Sequence, residues 1–148
     1  MLAERLATCR SVALDSSVLI YYFEEHPRHV ESLRSLFERI DRGELEAVSS
    51  SVALLEVLVH PLRHGRRDLA ETYASALTRA AHFQLVPVDY RVARRAAELR
   101  AVRASLRTPD AIHLATAELH AADLFLTNDA RLRDAARIEA WVLEDRSP

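Results

Sequence analysis

The sequence predicts an α/β fold in which a mostly parallel sheet carries helices on both faces. Three observations carry that expectation. Short apolar runs of strand length alternate with segments of helical periodicity. The stretches joining successive runs are too long for hairpins, so the crossovers are right-handed and the strands parallel. Only two glycines and five prolines punctuate the 148 residues, which implies mostly regular structure with short connections in one domain over 1–148.

Taken in order, "SVALD" (11–15) reads as a buried strand. "SSVLIYYFEE" continues it as a helix with Ser16 or Ser17 as N-cap. In "HVESLRSLFERIDRG", Val30, Leu33, Leu36, Phe37 and Ile40 fall at helical spacing, and Gly43 closes the helix. "LEAVSS" is a second strand, leading into the helix "SVALLEVLVH", which Pro61 is expected to break. An amphipathic helix follows over about 67–82. "FQLVPV" is a third strand and "YRVARRAAELRAVR" a periodic helix with Asp89 as its N-cap. "TPDAIHLATAELHAA" is an apolar helix with Thr108 as cap and Pro109 in its first turn. "DLFLT" is a strand, "DARLRDAA" a short helix and "IEAWVL" the last strand.

Composition excludes several chemistries. All 20 basic residues are arginine, so nothing that needs a lysine ammonium, such as a P-loop or Schiff base, is available. The formal net charge of −2 provides no global field for nucleic acid, so any such partner needs a local patch. The lone Cys9 excludes an internal disulfide and any multi-cysteine zinc site, and reads as a packed or surface thiol. With no signal peptide and no bilayer-length apolar run, a cytoplasmic location is expected.

In parallel α/β folds, sites form outside the carboxyl ends of the strands. Asp15 ends the first strand, Glu56 lies early in the helix after the second, Asp110 opens a helix, and Asp129 follows the fourth strand. All four acids are therefore expected at one edge. Each has an ordinary alternative as a helix cap or dipole partner, except Glu56, an acid inside the apolar "ALLEVLV". No arginine is recognised beside them in a pairing motif, so the cluster reads as uncompensated and in need of cations. Hard oxygen donors suit magnesium or manganese, which would activate water for displacement at phosphorus. Thr127 and Ser17 are placed to orient a carboxylate or a phosphate oxygen. Without an ion the acids should repel, so neutralising Asp129 is expected to stabilise the metal-free chain.

Other residues are read more plainly. His113, one turn after Asp110, could face the cleft but is expected rather to pack or hydrogen-bond locally, and His60 with His64 to be solvated rather than a zinc pair. "RHGRRD" (63–68) holds the densest arginine cluster and is a candidate to grip a phosphate backbone. The arginines of 91–103 stud one helix and mainly solubilise it.

The motifs "LDSSVLI", "SSVALLEVL", "RTPDAIHLATA" and "FLTND", in this order and spacing, resemble the PIN-domain nucleases, and among them the VapC-type ribonuclease toxins. The likeness covers nearly the whole chain, including "VHPLR" and "AAELRA". It implies a three-layer α/β/α sandwich and a magnesium- or manganese-dependent endoribonuclease. It assigns the acidic positions to Asp15, Glu56, Asp110 and Asp129, with Thr127 in the Thr-x-Asp position and Ser17 two residues after the first acid. It further implies an RNA substrate, a homodimer, and a small antitoxin whose C-terminal segment blocks the acidic site. The apolar "VLIYYF" could receive a partner helix, although core packing explains it equally well.

A haloacid-dehalogenase-like phosphatase would need an aspartate where Ser17 stands and a lysine, and a receiver domain fails for want of the same lysine. The rival of another class is a catalytically silent PIN-fold module that binds RNA or protein.

Overall fold

The computed structural model describes residues 1–143, so the end of the domain expected over 1–148 lies outside the described residues. Five strands, β1 (Ser11–Leu14), β2 (Glu46–Ser50), β3 (Phe83–Val86), β4 (Leu124–Thr127) and β5 (Ala140–Val142), form one sheet. Their order is β3-β2-β1-β4-β5, and every neighbouring pair is parallel. The helices are α1 (Leu2–Leu6), α2 (Ser16–Phe23), α3 (Val30–Asp41), α4 (Ser51–Arg63), α5 (Arg67–Arg79), α6 (Tyr90–Val102) and α7 (Thr108–Leu119).

β1 and β4 are mainly apolar, Ser11 and Thr127 excepted, because both of their faces are covered. On β1 and β4, Val12, Leu14, Leu124 and Leu126 pack into a core with residues of α2, α3, α4 and α5. The alternate residues Ala13 and Phe125 join a second core with α6 and α7. A period of two thus divides one apolar run between two cores, which makes the three layers. The chain builds β1, β2 and β3 towards one edge, then returns to the other side of β1 for β4 and β5. This reversal leaves a crevice at the carboxyl ends of β1 and β4, where open α/β sheets place their sites.

Several elements end differently from the sequence reading. α4 does not break at Pro61 but runs on to Arg63. The proline falls in the last turn, so the helix forfeits a single hydrogen bond there, and the proline itself is buried. α5 stops at Arg79, with Ala80 extended and His82 left-handed at φ 61°. The short helix expected in "DARLRDAA" is reduced to a 3₁₀ turn, Ala130–Leu132, because Arg133 is extended and Asp134 sits at φ 57°. α1 has no counterpart in the sequence reading. Gly43, at φ 75°, closes α3 as expected, and the His82 ring lies 2.9 Å from where a Cβ would stand. Asp89 caps α6 by accepting the Val92 N–H at 2.9 Å. Cys9 is buried. No helix among the described residues is long and apolar enough to cross a membrane.

One ion pair ties α6 and α7 together away from the crevice. Glu118 accepts from Arg95 Nε at 2.5 Å and Nη2 at 3.1 Å, and from the Arg137 N–H at 2.6 Å. Burial pushes its carboxyl up, but these donors outweigh burial and hold it below the ordinary glutamate value. Its stabilisation is therefore complete above the unfolded pKa and is lost as pH falls through the depressed folded one. Glu118→Gln should cost about 1.5–3 kcal/mol at neutral pH, read by denaturant melts, and the gap to wild type should close in acid. A gap unchanged at low pH would show that packing, not charge, is responsible.

Candidate active site

The site is built at the crevice between β1 and β4. Asp15 occupies the N-cap position of α2, in place of Ser16 or Ser17, yet its carboxylate caps nothing. Thr127 Oγ1 donates to Asp15 Oδ2 at 2.6 Å and Ser17 Oγ donates to the same oxygen at 3.0 Å. Oδ1 has only the Ser16 hydroxyl at 3.5 Å and His113 Nε2 at 3.7 Å. Asp15 is thus a buried acid, 4% exposed, with one oxygen fixed by two hydroxyls and the other held only by the long contacts to Ser16 and His113. Burial pushes its carboxyl above the usual aspartate range, with a contribution from the Asp110 charge, and this prevails over His113, Thr127 and Ser17.

The two hydroxyls also lock the two strand ends together. Thr127, fully buried, accepts the Asp129 N–H at 3.1 Å, and Ser17 Oγ accepts the Asn128 N–H at 3.1 Å. Asn128 Nδ2 in turn donates to the Tyr21 hydroxyl at 2.7 Å, joining the loop to α2.

The other acids each have a cationic or imidazole partner. Glu56, in the second turn of α4, meets His113 Nε2 at 2.7 Å. Burial raises the Glu56 carboxyl, but His113 and more distant Arg107 bring it below its ordinary value, so it is the acceptor and Nε2 the donor. His113 is 2% exposed and its Nδ1 has no hydrogen-bond partner among the described residues. Asp110 lies in the first turn of α7, whose N-cap position is held by Arg107 rather than by Thr108. Arg107 Nε donates to Asp110 Oδ2 at 3.1 Å. Asp129 caps the 3₁₀ turn through the Arg131 N–H at 2.9 Å and is gripped by that guanidinium, Nε to Oδ1 at 2.9 Å and Nη2 to Oδ2 at 2.7 Å. Arg131 draws the Asp129 carboxyl below its usual range, against partial burial.

The structure therefore brings the four acids to one edge, as expected, but corrects the expectation that no arginine accompanies them. Arg107 stands three residues before Asp110 and Arg131 two residues after Asp129, each in direct contact. The Arg107 charge also reaches Glu56 and Asp129. His113, for which local packing was expected over a place in the cleft, bridges two of the acids, at 2.7 Å from Glu56 and 3.7 Å from Asp15. Arg63, Arg66 and Arg67 lie at the far end of α4, and Arg66 is occupied by Asp68 at 3.1 Å. His60 and His64 lie with ring centroids 4.3 Å apart and tilted at 44°, with no metal-binding third partner among the described residues.

The pairing reverses one expected effect. The depressed folded pKa means that ionised Asp129 contributes stability above the unfolded value, lost as pH falls through the folded one. Asp129→Asn should accordingly melt at or below wild type in chelator at neutral pH. A higher melting temperature would restore the view that repulsion dominates.

The donor chemistry fits a hard divalent cation. Asp15 Oδ1 has no contact shorter than 3.5 Å among the described residues, and the neighbouring acids offer further carboxylate oxygens. Among the described residues, no three His, Cys, Asp or Glu side chains are gathered closely enough to enclose an ion in this arrangement. Glu56 is turned to His113, Asp110 to Arg107 and Asp129 to Arg131, so an ion would compete with these partners.

Comparisons with known proteins bear on the family and the fold. Ribonuclease VapC46 of Mycobacterium tuberculosis is 38% identical over 130 residues, covering 86% of this chain and 91% of that protein. The fold matches VapBC2 from Rickettsia felis bound to a DNA fragment from their promoter. There the TM-score is 0.72 at 13% identity, over 89% of this chain and 98% of the other. It also matches a toxin–antitoxin complex from Klebsiella pneumoniae, with a TM-score of 0.65 at 23% identity over 88% and 96% of the two chains. The PIN domain family model matches residues 12–138, which include all four acids. By that match and the VapC46 relative, the chain belongs to the PIN-domain family, among its VapC-type members.

Proposed function

We propose that the chain is a divalent-metal-dependent endoribonuclease that acts as the toxin of a toxin–antitoxin pair, hydrolysing RNA phosphodiester bonds. The observation that carries this reading is Asp15, a buried carboxylate that caps no helix and is held at a cost in ionisation with one oxygen lacking any short partner among the described residues. Structural acids of this kind are paired or capping; acids with an upward-shifted pKa in a cleft mark functional sites.

In this reading Asp15, Glu56, Asp110 and Asp129 would hold magnesium or manganese, which would supply a polarised water and charge neutralisation at the attacked phosphate. Thr127 and Ser17 orient the Asp15 carboxylate by fixing Oδ2, which would leave Oδ1 for an ion. His113 holds Glu56 in place at 2.7 Å.

The toxin role rests on the VapC-type relatives and on a toxin–antitoxin complex among the similar folds. A cognate antitoxin and a homodimer accompany that role. An apolar trough of about 670 Å³ bordered by α2, α3 and α5, with Tyr22, Phe23, Phe37 and Phe83 in its walls, offers a partner helix a place to bury its apolar face.

Inducing the chain in cells, with and without its genomic neighbour, tests the role. Growth arrest with RNA fragmentation is expected from the chain alone, relieved by the neighbour. Unimpaired growth and intact RNA would overturn it. The arginine partners of Asp110 and Asp129 favour one other reading, a silent PIN-fold module that binds RNA or protein, since acids so compensated can persist without an ion. Cleavage by the purified chain excludes that reading.

A further inference from the structure

Arg107 and Arg131 are exposed arginines, 63% and 78% accessible, whose guanidinium groups nevertheless rest on Asp110 and Asp129. With Arg103 and Ser105 they wall a cavity of about 280 Å³ that opens beside those two acids. Arg103 donates to the backbone oxygens of Arg131 and Asp134, at 3.2 and 3.3 Å, which fixes the base of the Arg131 side chain and leaves its tip free to turn. Solvated side chains of this length exchange rotamers on the nanosecond scale, so only the carboxylates keep them where they are.

We infer that Arg107 and Arg131 are RNA-phosphate ligands held in reserve: each occupies an acid of the site until that acid is neutralised, then turns onto the substrate backbone. The inference rests on the proposed nuclease reading. A guanidinium binds a carboxylate and a phosphate with the same fork of donors, so the two acceptors compete for it. An ion bound by Asp110 and Asp129 would remove one competitor and leave the other. The compensation of the acidic cluster then serves a second purpose. The arginines serve the acids first and the RNA second.

A binding cycle carried out wholly in EDTA tests this, where no cleavage is expected and the nuclease reading is not at stake. Replacing the two acids, Asp110→Asn with Asp129→Asn, frees the arginines without any ion. Binding of a short fluorescent oligoribonucleotide should then strengthen. Adding Arg107→Gln and Arg131→Gln should lower affinity roughly tenfold in that background and flatten the salt dependence by about 0.7 per arginine. The same two arginine changes in the wild-type background should alter affinity by no more than about twofold, because there the side chains are already engaged. Lysine at both positions should keep part of the salt slope. Equal losses in both backgrounds would show arginines that bind RNA without resting on the acids. No loss in either would show that they are structural partners of the acids alone, and both outcomes overturn the inference. Because each variant alters a solvent-exposed side chain or a carboxylate-to-amide pair, a melting curve of each confirms that the fold is retained.

Discussion

Asp15→Asn is expected to lower RNA cleavage in magnesium or manganese by at least about a hundredfold, as losses of a metal-holding acid commonly do. It should do so without weakening the metal-free fold. The amide keeps the size of the side chain, and its oxygen can accept the Thr127 and Ser17 hydroxyls that now reach Oδ2. Burial has raised the folded pKa of Asp15, so its favourable contribution lies below the unfolded pKa and is lost as pH rises through the folded one. At neutral pH the charge is a burden, and removing it should leave the melting temperature in chelator equal or higher. Asp110→Asn should be as damaging to cleavage, but it also deprives Arg107 of its partner and should gain no stability. Cleavage assays and melts of the two variants side by side separate these effects. An active Asp15→Asn would remove Asp15 from the chemistry, and a strongly destabilised one would make it a structural acid.

Thr127→Val is the second large effect. Its hydroxyl donates to Asp15 and accepts from the Asp129 N–H, so a single atom registers two acids on the ends of two elements. Valine matches the shape but leaves the buried Asp15 oxygen one donor short and the Asp129 amide without its acceptor. Partners one step behind a metal ligand commonly cost 10–100-fold on removal, and a loss of about that size is expected in cleavage or metal affinity. Stability should fall by about 1–3 kcal/mol, a drop of roughly 2–4 °C per kcal/mol for a chain of this length. Thr127→Ser keeps the hydroxyl and should recover most of the activity despite losing a methyl. If valine were as active as threonine, the hydroxyl would have no part in holding the site.

The residues that were legible in the sequence are those whose role is local. β1 and β4 declare themselves because strands buried on both faces are mainly apolar, and an acid directly after such a run stands out. Topology then carried Asp15, Asp110 and Asp129 to the same edge. Glu56 showed itself as a charge in an apolar helix. The role of His113 was not legible, because its partner Glu56 is 57 residues away and nothing in "AIHLATA" marks the face it presents. Arg107 and Arg131 were legible and went unread: Arg-x-x-Asp across a helix start is a contact spacing, and Asp-x-Arg allows a side chain to fold back onto its neighbour. Overlooking them made the cluster seem wholly repulsive and led to the opposite expectation for Asp129 from the one its pairing implies. Pro61 misled for a different reason, since the cost of a proline depends on how much helix follows it, and here only two residues do.

The central claim is that the acids at the carboxyl edge form a metal-dependent RNA-cleaving site, and a single titration tests it most directly. The rate at which the purified chain cleaves a quenched fluorescent RNA is followed as manganese is added to protein first stripped with EDTA, for wild type and Asp15→Asn together. The account predicts no cleavage by stripped wild type, a rate that rises and saturates with manganese, and a flat trace for Asp15→Asn. Cleavage that persists in EDTA, or a variant that saturates at the wild-type rate, would contradict it.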